Sequence, residues 1–354
     1  MSEAVTPGAA ATVGACATPP VPPTPAGARL PASRTGAAAR ATHAPATVRF
    51  AALGDSLTEG IGDPVQGGWR GWAALLAEGL AGTGRDVEFR NLAVAGALSA
   101  DVHERQAVAA ADFRPDIASV VVGVNDTLRR SFDIRRLTGR LDEVCGLLAG
   151  GGAVLLTACL PDPGTALGLP GPLRRPLARR QQSVNAVVHA LSARYDAVHL
   201  HASDRAWTDD RSLWSVDRLH PGERGHRRLA AGFHRLLAER GLALGDRPGQ
   251  EPQQPPPTRV AGALWLATEG TGWLARRSTD LLPQLLGLAT AEVGHWARGT
   301  SERLDARAEQ AVREALGDVA GHGSDVEGEP GCAPTTHASR RGLARARPHD
   351  GIRR

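Results

Sequence analysis

The chain contains no lysine: all 41 of its basic side chains are arginine, set against 37 acidic residues for a formal net charge of +4. That bias reads as genome composition, since abundant Ala and Gly accompany it, and not as phosphate recognition, for which arginines would gather beside aromatic or strand positions. Nucleic acid is therefore not an expected partner. Aromatic residues are scarce at 4%, with one Tyr and five Phe, so the seven Trp stand out as the large rings available to a core or a binding wall. Cysteine is also sparse: Cys16, Cys145, Cys159 and Cys332 are scattered without metal-ligand spacing, and two of them lie in apolar stretches, which suits a reducing compartment. No run is long and apolar enough to span a bilayer. The N-terminal stretch lacks a basic segment followed by a continuous apolar one, because Pro19, Pro20, Pro22, Pro23 and Pro25 interrupt it, so a cytoplasmic location is expected.

What is present is a set of four spaced motifs. The run Val48, Phe50, Ala51, Ala52, Leu53 reads as a buried strand, and Gly54-Asp55-Ser56-Leu57 breaks it, bringing Ser56 out at the carboxyl end of that strand. A second strand-like run leads to Asn91-Leu92-Ala93-Val94-Ala95-Gly96, where a glycine leaves its amide NH unscreened. The third, Ile117 to Val122, leads to Gly123-Val124-Asn125-Asp126, whose Asn125 side chain can donate a hydrogen bond. Far downstream, Asp217-Arg218-Leu219-His220 sets a carboxylate three residues from an imidazole, within reach through one local turn. A serine hydroxyl needs a base, a group that orients the base, and donors where negative charge develops. The motifs supply one candidate for each role. Taken singly each has a plainer reading as a turn or helix cap; their occurrence in order at successive strand ends sets those readings aside.

Ser56 in Gly-Asp-Ser-Leu, Gly96, Asn125 in Gly-Val-Asn-Asp, and Asp217 with His220 together resemble the four blocks of the GDSL, or SGNH, hydrolase family. The resemblance covers roughly residues 47 to 241. It implies an α/β fold: a three-layer α/β/α flavodoxin-like domain with five parallel strands in the order 2-1-3-4-5. It also implies esterase or lipase chemistry, with Ser56 as nucleophile, His220 as base, Asp217 as its orienter, and an oxyanion hole made by the amides of Ser56 and Gly96 and the side chain of Asn125. No cofactor and no metal are implied. The partner is a small-molecule or lipid ester; lysophospholipids, acylated thiols and acetylated sugars all fall within the family's range.

Alternation of strand and helix patterns supports the parallel sheet independently. Strands are expected at Thr47 to Leu53, Val87 to Leu92, Ile117 to Val122, Ala153 to Thr157 and Ala197 to Leu200. Helices are expected around Trp69 to Leu80, Asp101 to Ala111, Ile134 to Leu148, Leu177 to Tyr195, and from after Pro221-Gly222 to about Arg240. Residues 1–46, rich in Ala, Pro, Gly and Thr, read as disordered. The hydrolase domain is 47–241, and 242–258 forms a Pro-rich linker. Residues 259–299 form a helical appendage in which Leu282, Leu286, Ala289, Val293 and Trp296 make an apolar stripe, with Asp280 as N-cap and Pro283 in the first turn. The stripe is expected to pack back on the domain or on another subunit, the alternative being peripheral contact with a membrane surface or an acyl-binding flap. Residues 300–354 read as a short charged helix and a largely disordered Arg-rich tail.

Other residues bear on two competing classes. His199 and His201 alternate along the fifth predicted strand and so share one face, with Asp204 nearby, as ligands of a metal-dependent hydrolase would. No third ligand is evident from spacing, which favours packing. A non-catalytic flavodoxin-like binding module is disfavoured, since every signature position is filled and no Gly-rich phosphate loop is present. Trp69, Trp72, Trp207 and Trp214 flank the motifs and are candidate aromatic walls, the first two alternatively core.

Overall fold

A computed structural model describes residues 47–82, 85–254 and 282–325. The expected disordered segment 1–46, the capping Asp280, most of the linker's proline run and the Arg-rich tail beyond 325 lie outside them, as do Cys16 and Cys332.

The five expected strands form one parallel sheet. β1 (Thr47–Gly54) pairs with β4 (Asp86–Asn91) on one side and β5 (Ile117–Val121) on the other, and β6 (Val154–Cys159) and β7 (Val198–His201) follow outward. The order β4-β1-β5-β6-β7 is 2-1-3-4-5 in sheet-strand sequence. β1 and β5 read as near-continuous apolar runs because helices cover both faces and water reaches neither. β2 (Pro64–Val65) and β3 (Gly68–Trp69) form a separate small hairpin.

One face of the sheet is covered by α2 (Gly71–Leu80) and α10 (Glu223–Glu239), where Trp72 stacks on Phe233 at 4.9 Å within a core that includes Phe50, Leu156 and Leu229. The other is covered by α4 (Ala107–Phe113), α6 (Ile134–Gly150) and α8 (Gly171–Arg194), burying Leu53, Val120, Leu141 and Val187. The layers are thus α/β/α. α6 starts where its sequence says it should: Asp133 accepts from the amides of Arg135 and Arg136, satisfying two of the donors a helix start leaves open. The single-turn helices α1 (Ser56–Glu59), α5 (Val124–Thr127), α7 (Pro163–Ala166) and α9 (Arg205–Thr208), with the short α3 (Ser99–Asp101), sit in the connecting loops.

Boundaries differ from the expected ones in instructive places. The helix expected from Trp69 begins at Gly71, because Trp69 is held in the hairpin. The helix expected at Asp101 to Ala111 runs from Ser99 to Phe113 and contains a π-helical stretch, Val102–Gln106. α8 begins six residues before Leu177, with Pro176 in its second turn, and β6 extends two residues past Thr157 to include Cys159.

The appendage departs more. α11 (Leu282–Ala297) lies against α8, but not through the expected stripe: Leu286, Val293 and Trp296 are exposed, while Leu285 and Leu288 pack on Leu128 and Leu177. The face turned to α8 carries Glu292, which is buried and reaches Arg179 of α8 at 3.1 Å. Beyond it, the expected short charged helix is the 25-residue α12 (Ser301–Asp325), which buries Val312 and Ala315 and places Glu314 and Asp318 against Arg135 of α6. No helix among the described residues is long and apolar enough to cross a membrane.

Candidate active site

β1 lies between β4 and β5, so the loops leaving the carboxyl ends of these three strands converge, the place where open parallel sheets bind ligands. At Gly54 a Cβ would lie 2.3 Å from the carbonyl oxygen of Val121, so only glycine lets β1 approach β5 this closely and release Asp55 and Ser56 beyond it. Asp55 caps α1, accepting from the amide of Leu57 at 3.1 Å, and Ser56 becomes its first residue.

The structure brings three of the predicted residues into one hydrogen-bonded chain. His220 Nε2 lies 2.8 Å from Ser56 Oγ, and His220 Nδ1 lies 2.6 Å from Asp217 Oδ2. The second oxygen of Asp217 accepts from Ser215 Oγ and from the amides of Leu219 and His220, at 2.6, 2.9 and 3.0 Å. Arg218 takes a left-handed conformation (φ 57°) to close this turn, a strain a non-glycine residue bears only where its surroundings fix it. Burial alone would push the Asp217 carboxyl up, but the hydrogen bonds from His220 and Ser215 and the His220 charge outweigh it and hold the carboxyl at about 2.

Gly96 follows β4 with φ 81°, and Asn125 sits in α5 after β5; both line the same cavity as Ser56 and His220. The amides of Ser56 and Gly96 donate to no acceptor among the described residues. The two amide hydrogens of Asn125 point instead to Asp55 Oδ2 and to the carbonyl of Ala97, each at 3.2 Å. Those contacts are long enough to yield to a stronger acceptor.

Three further residues support the site. Asp55 is fully buried, and desolvation pushes its carboxyl up to about 6. Asp126 accepts from the hydroxyl of Ser99 at 2.6 Å and from its amide at 3.0 Å, tying the third loop to the second. Gln106, in the π-helical stretch, bonds both the amide and the carbonyl of Gly54. Asp55 and Asp126 stand inside two of the motifs, where the sequence assigns them no role; Gln106 lies in none, and only the fold brings it beside β1.

The cavity is ≈ 190 Å³ and its walls are chiefly apolar, including Leu57, Leu128, Leu160, Trp207, Trp214 and Leu285. Trp207 and Trp214 therefore are walls, joined by a bond from the Trp214 indole NH to the Trp207 carbonyl. Trp72 is core and Trp69 is exposed in the hairpin; neither lines the cavity. Leu285 comes from α11, so the appendage contributes to the site.

His199 and His201 do share a face, and the fold adds what spacing did not reveal. His189 of α8 packs on both rings at 4.5 and 5.0 Å, and Cys159 of β6 joins them; Asp204 stands apart, capping α9. Burial and the neighbouring imidazoles push His199 down to about 4, leaving it uncharged at neutral pH.

A family model described as the GDSL-like Lipase/Acylhydrolase family matches residues 52–228, a span that contains Ser56, Gly96, Asn125, Asp217 and His220. No curated protein matches the chain. Among solved structures, the acetylxylan esterase Axe2 from Geobacillus stearothermophilus is similar at 17% identity and a TM-score of 0.45, covering 54% of this chain and 94% of its own. TesA is similar at 23% identity and a TM-score of 0.44, covering 54% and 98%. LAE5, an α/β hydrolase enzyme from the metagenome of Lake Arreo in Spain, is similar at 19% identity and a TM-score of 0.44, covering 55% and 96%. With 177 of its 354 residues matched, the protein belongs to the GDSL-like lipase/acylhydrolase family, and with it to the enzymes that hydrolyse esters.

Proposed function

We propose that the chain is a serine-dependent carboxylic ester hydrolase working through an acyl-enzyme. The observation that carries the reading is the unbroken chain Ser56–His220–Asp217, opening into an apolar cavity. The hydroxyl of Ser56 donates to His220 Nε2, and the Nδ1–H of His220 donates to Asp217, the tautomer a general base requires. Ser56 Oγ attacks the ester carbonyl as its proton passes to Nε2. The tetrahedral oxyanion is received by the free amides of Ser56 and Gly96 and by Asn125 Nδ2, which exchanges its 3.2 Å contact with the Ala97 carbonyl for a charged acceptor. His220 then returns the proton to the leaving alcohol, and a water activated by the same imidazole releases the acid.

The walls favour an apolar acyl group, since leucines and two tryptophans surround the volume next to Ser56. A fluorophosphonate probe, together with a chain-length series of p-nitrophenyl esters, tests the reading. Stoichiometric labelling that disappears in Ser56→Ala, with turnover favouring acyl chains longer than acetate, is the expected result. Labelling or turnover that persists in that variant would refute it.

A further inference from the structure

The geometry points to a zinc site made by Cys159, His189, His199 and His201 at the β6–β7 edge of the sheet. It is separate from the proposed serine chemistry and independent of it. One ligand atom from each of the four side chains lies within 4.8 Å of every other. Zinc bonds of about 2.0–2.3 Å set tetrahedral edges at roughly 3.3–3.8 Å, so an ion would have to draw any two of the four together by about 1.5 Å at most, within reach of side-chain rotation. Cys159 Sγ and His201 Nδ1 are already 3.8 Å apart.

Strand register builds the cluster. In the parallel pairing of β6 and β7, Thr157 stands opposite His199 and Cys159 opposite His201, so all four side chains fall on one face. α8 covers that face and sets His189 against both imidazoles. His199 is held as a metal-ligating histidine is held. Its Nδ1 is engaged by the hydroxyls of Thr157 at 2.9 Å and Ser192 at 3.1 Å, while its Nε2 is buried with no hydrogen-bond partner. An imidazole fixed through one nitrogen with the other left bare is the arrangement outer hydroxyls and carboxylates impose around bound metals. Without an ion that buried nitrogen is an unmet cost. One thiolate and three imidazoles match zinc and exclude hard cations such as magnesium or calcium. The exposed rings of His189 and His201 give an ion access from solvent.

The site is structural. β6 lies two strands from β1, about 10 Å across the sheet, too far for the ion to touch a carbonyl held at Ser56. Its neighbours in sequence, Leu160 after Cys159 and Ala202 after His201, line the cavity, so the ion would brace that wall against α8.

The test is zinc binding to the full chain, purified without a histidine tag and stripped with chelator, by competition with a chromophoric chelator. Cobalt substitution reports thiolate coordination through its charge-transfer band. One equivalent of zinc is expected, raising the melting temperature. His189→Ala, His201→Ala and Cys159→Ser should each weaken binding at least about tenfold, and Thr157→Val, outside the ligand set, should weaken it about tenfold through His199. Cys159→Ser should also erase the charge-transfer band. His189→Ala alters the outermost ligand and keeps the test valid should a β6 variant fail to fold. Substoichiometric uptake, or equal affinity in wild type and His189→Ala, would overturn the site; loss of ester turnover on chelation with the fold intact would overturn its structural role.

Discussion

Gln106 grips Gly54 through both ends of its amide: Oε1 accepts from the Gly54 NH at 2.8 Å and Nε2 donates to the Gly54 carbonyl at 2.9 Å, all four groups buried. The grip falls two residues before Ser56. It is set by the π-helical stretch Val102–Gln106, whose extra residue per turn re-aims a side chain, a device common at functional sites. Gln106→Leu strands the buried Gly54 NH, at about 1–3 kcal/mol, and leaves the Gly54 carbonyl only the 3.3 Å contact from the Val94 amide. Both a lower melting temperature and a lower kcat are expected, with KM little changed. Unaltered kcat in a folded Gln106→Leu protein would remove Gln106 from the positioning of Ser56.

Asn125 is expected to act on the transition state and not on substrate binding. Removing one oxyanion donor costs about 3 kcal/mol, so Asn125→Ala should lower kcat by roughly 10² to 10³ with KM held. Near-normal turnover would show that the amides of Ser56 and Gly96 suffice.

In the proposed mechanism Asp217 fixes the imidazole tautomer. Asp217→Asn presents a donor as well as an acceptor to His220 and can reverse which ring nitrogen carries the proton, so a loss of roughly 10³ to 10⁴ in kcat is expected at neutral pH. Retention of most of the activity would mean that Ser215 and the turn alone orient the ring.

His226 sets an acid limit on stability. Its Nδ1 accepts from the Trp72 amide at 3.2 Å and its Nε2 lies 3.0 Å from the Ile61 carbonyl, a pairing that only the neutral ring makes. Burial holds it at about 4, below the ordinary 6.5. The unfolded chain thus binds a proton that the folded chain refuses, and stability present above pH 6.5 is lost as pH falls toward 4. The loss is on the order of 2 kcal/mol by pH 4.5. Urea titrations at pH 7 and 4.5 should show a smaller pH difference in His226→Gln than in wild type; an equal difference would place the acid sensitivity elsewhere.

Leu285 couples the appendage to the cavity. Leu285→Trp should shift the preferred acyl length downward in an ester series by filling space beside Leu128, while Leu286→Ala, on the exposed face of α11, should leave the preference unchanged. An unshifted optimum in Leu285→Trp would show that the acyl chain runs elsewhere.

Much of this was legible in the chain itself. The apolar run of β1 ended by Gly54, the alternation of strand and helix patterns, and the spacing of Ser56, Gly96, Asn125, Asp217 and His220 are local or periodic signals, and they determined the sheet and the candidate site. Exact helix starts were less legible: Trp69 continues the apolar pattern of α2, but hairpin pairing with Pro64 claims it.

Tertiary structure alone decided the rest. The face that α11 buries brings Glu292 to Arg179, a pair 113 residues apart that no periodicity encodes, while Leu286, Val293 and Trp296 face outward. Likewise His199 and His201 showed only two ligands in sequence; register and helix packing added Cys159 and His189, 42 and 12 positions away along the chain. Patterning fixes which residues must leave water. Which of them then meet is decided by the few long-range polar contacts that burial makes too costly to leave unpaired.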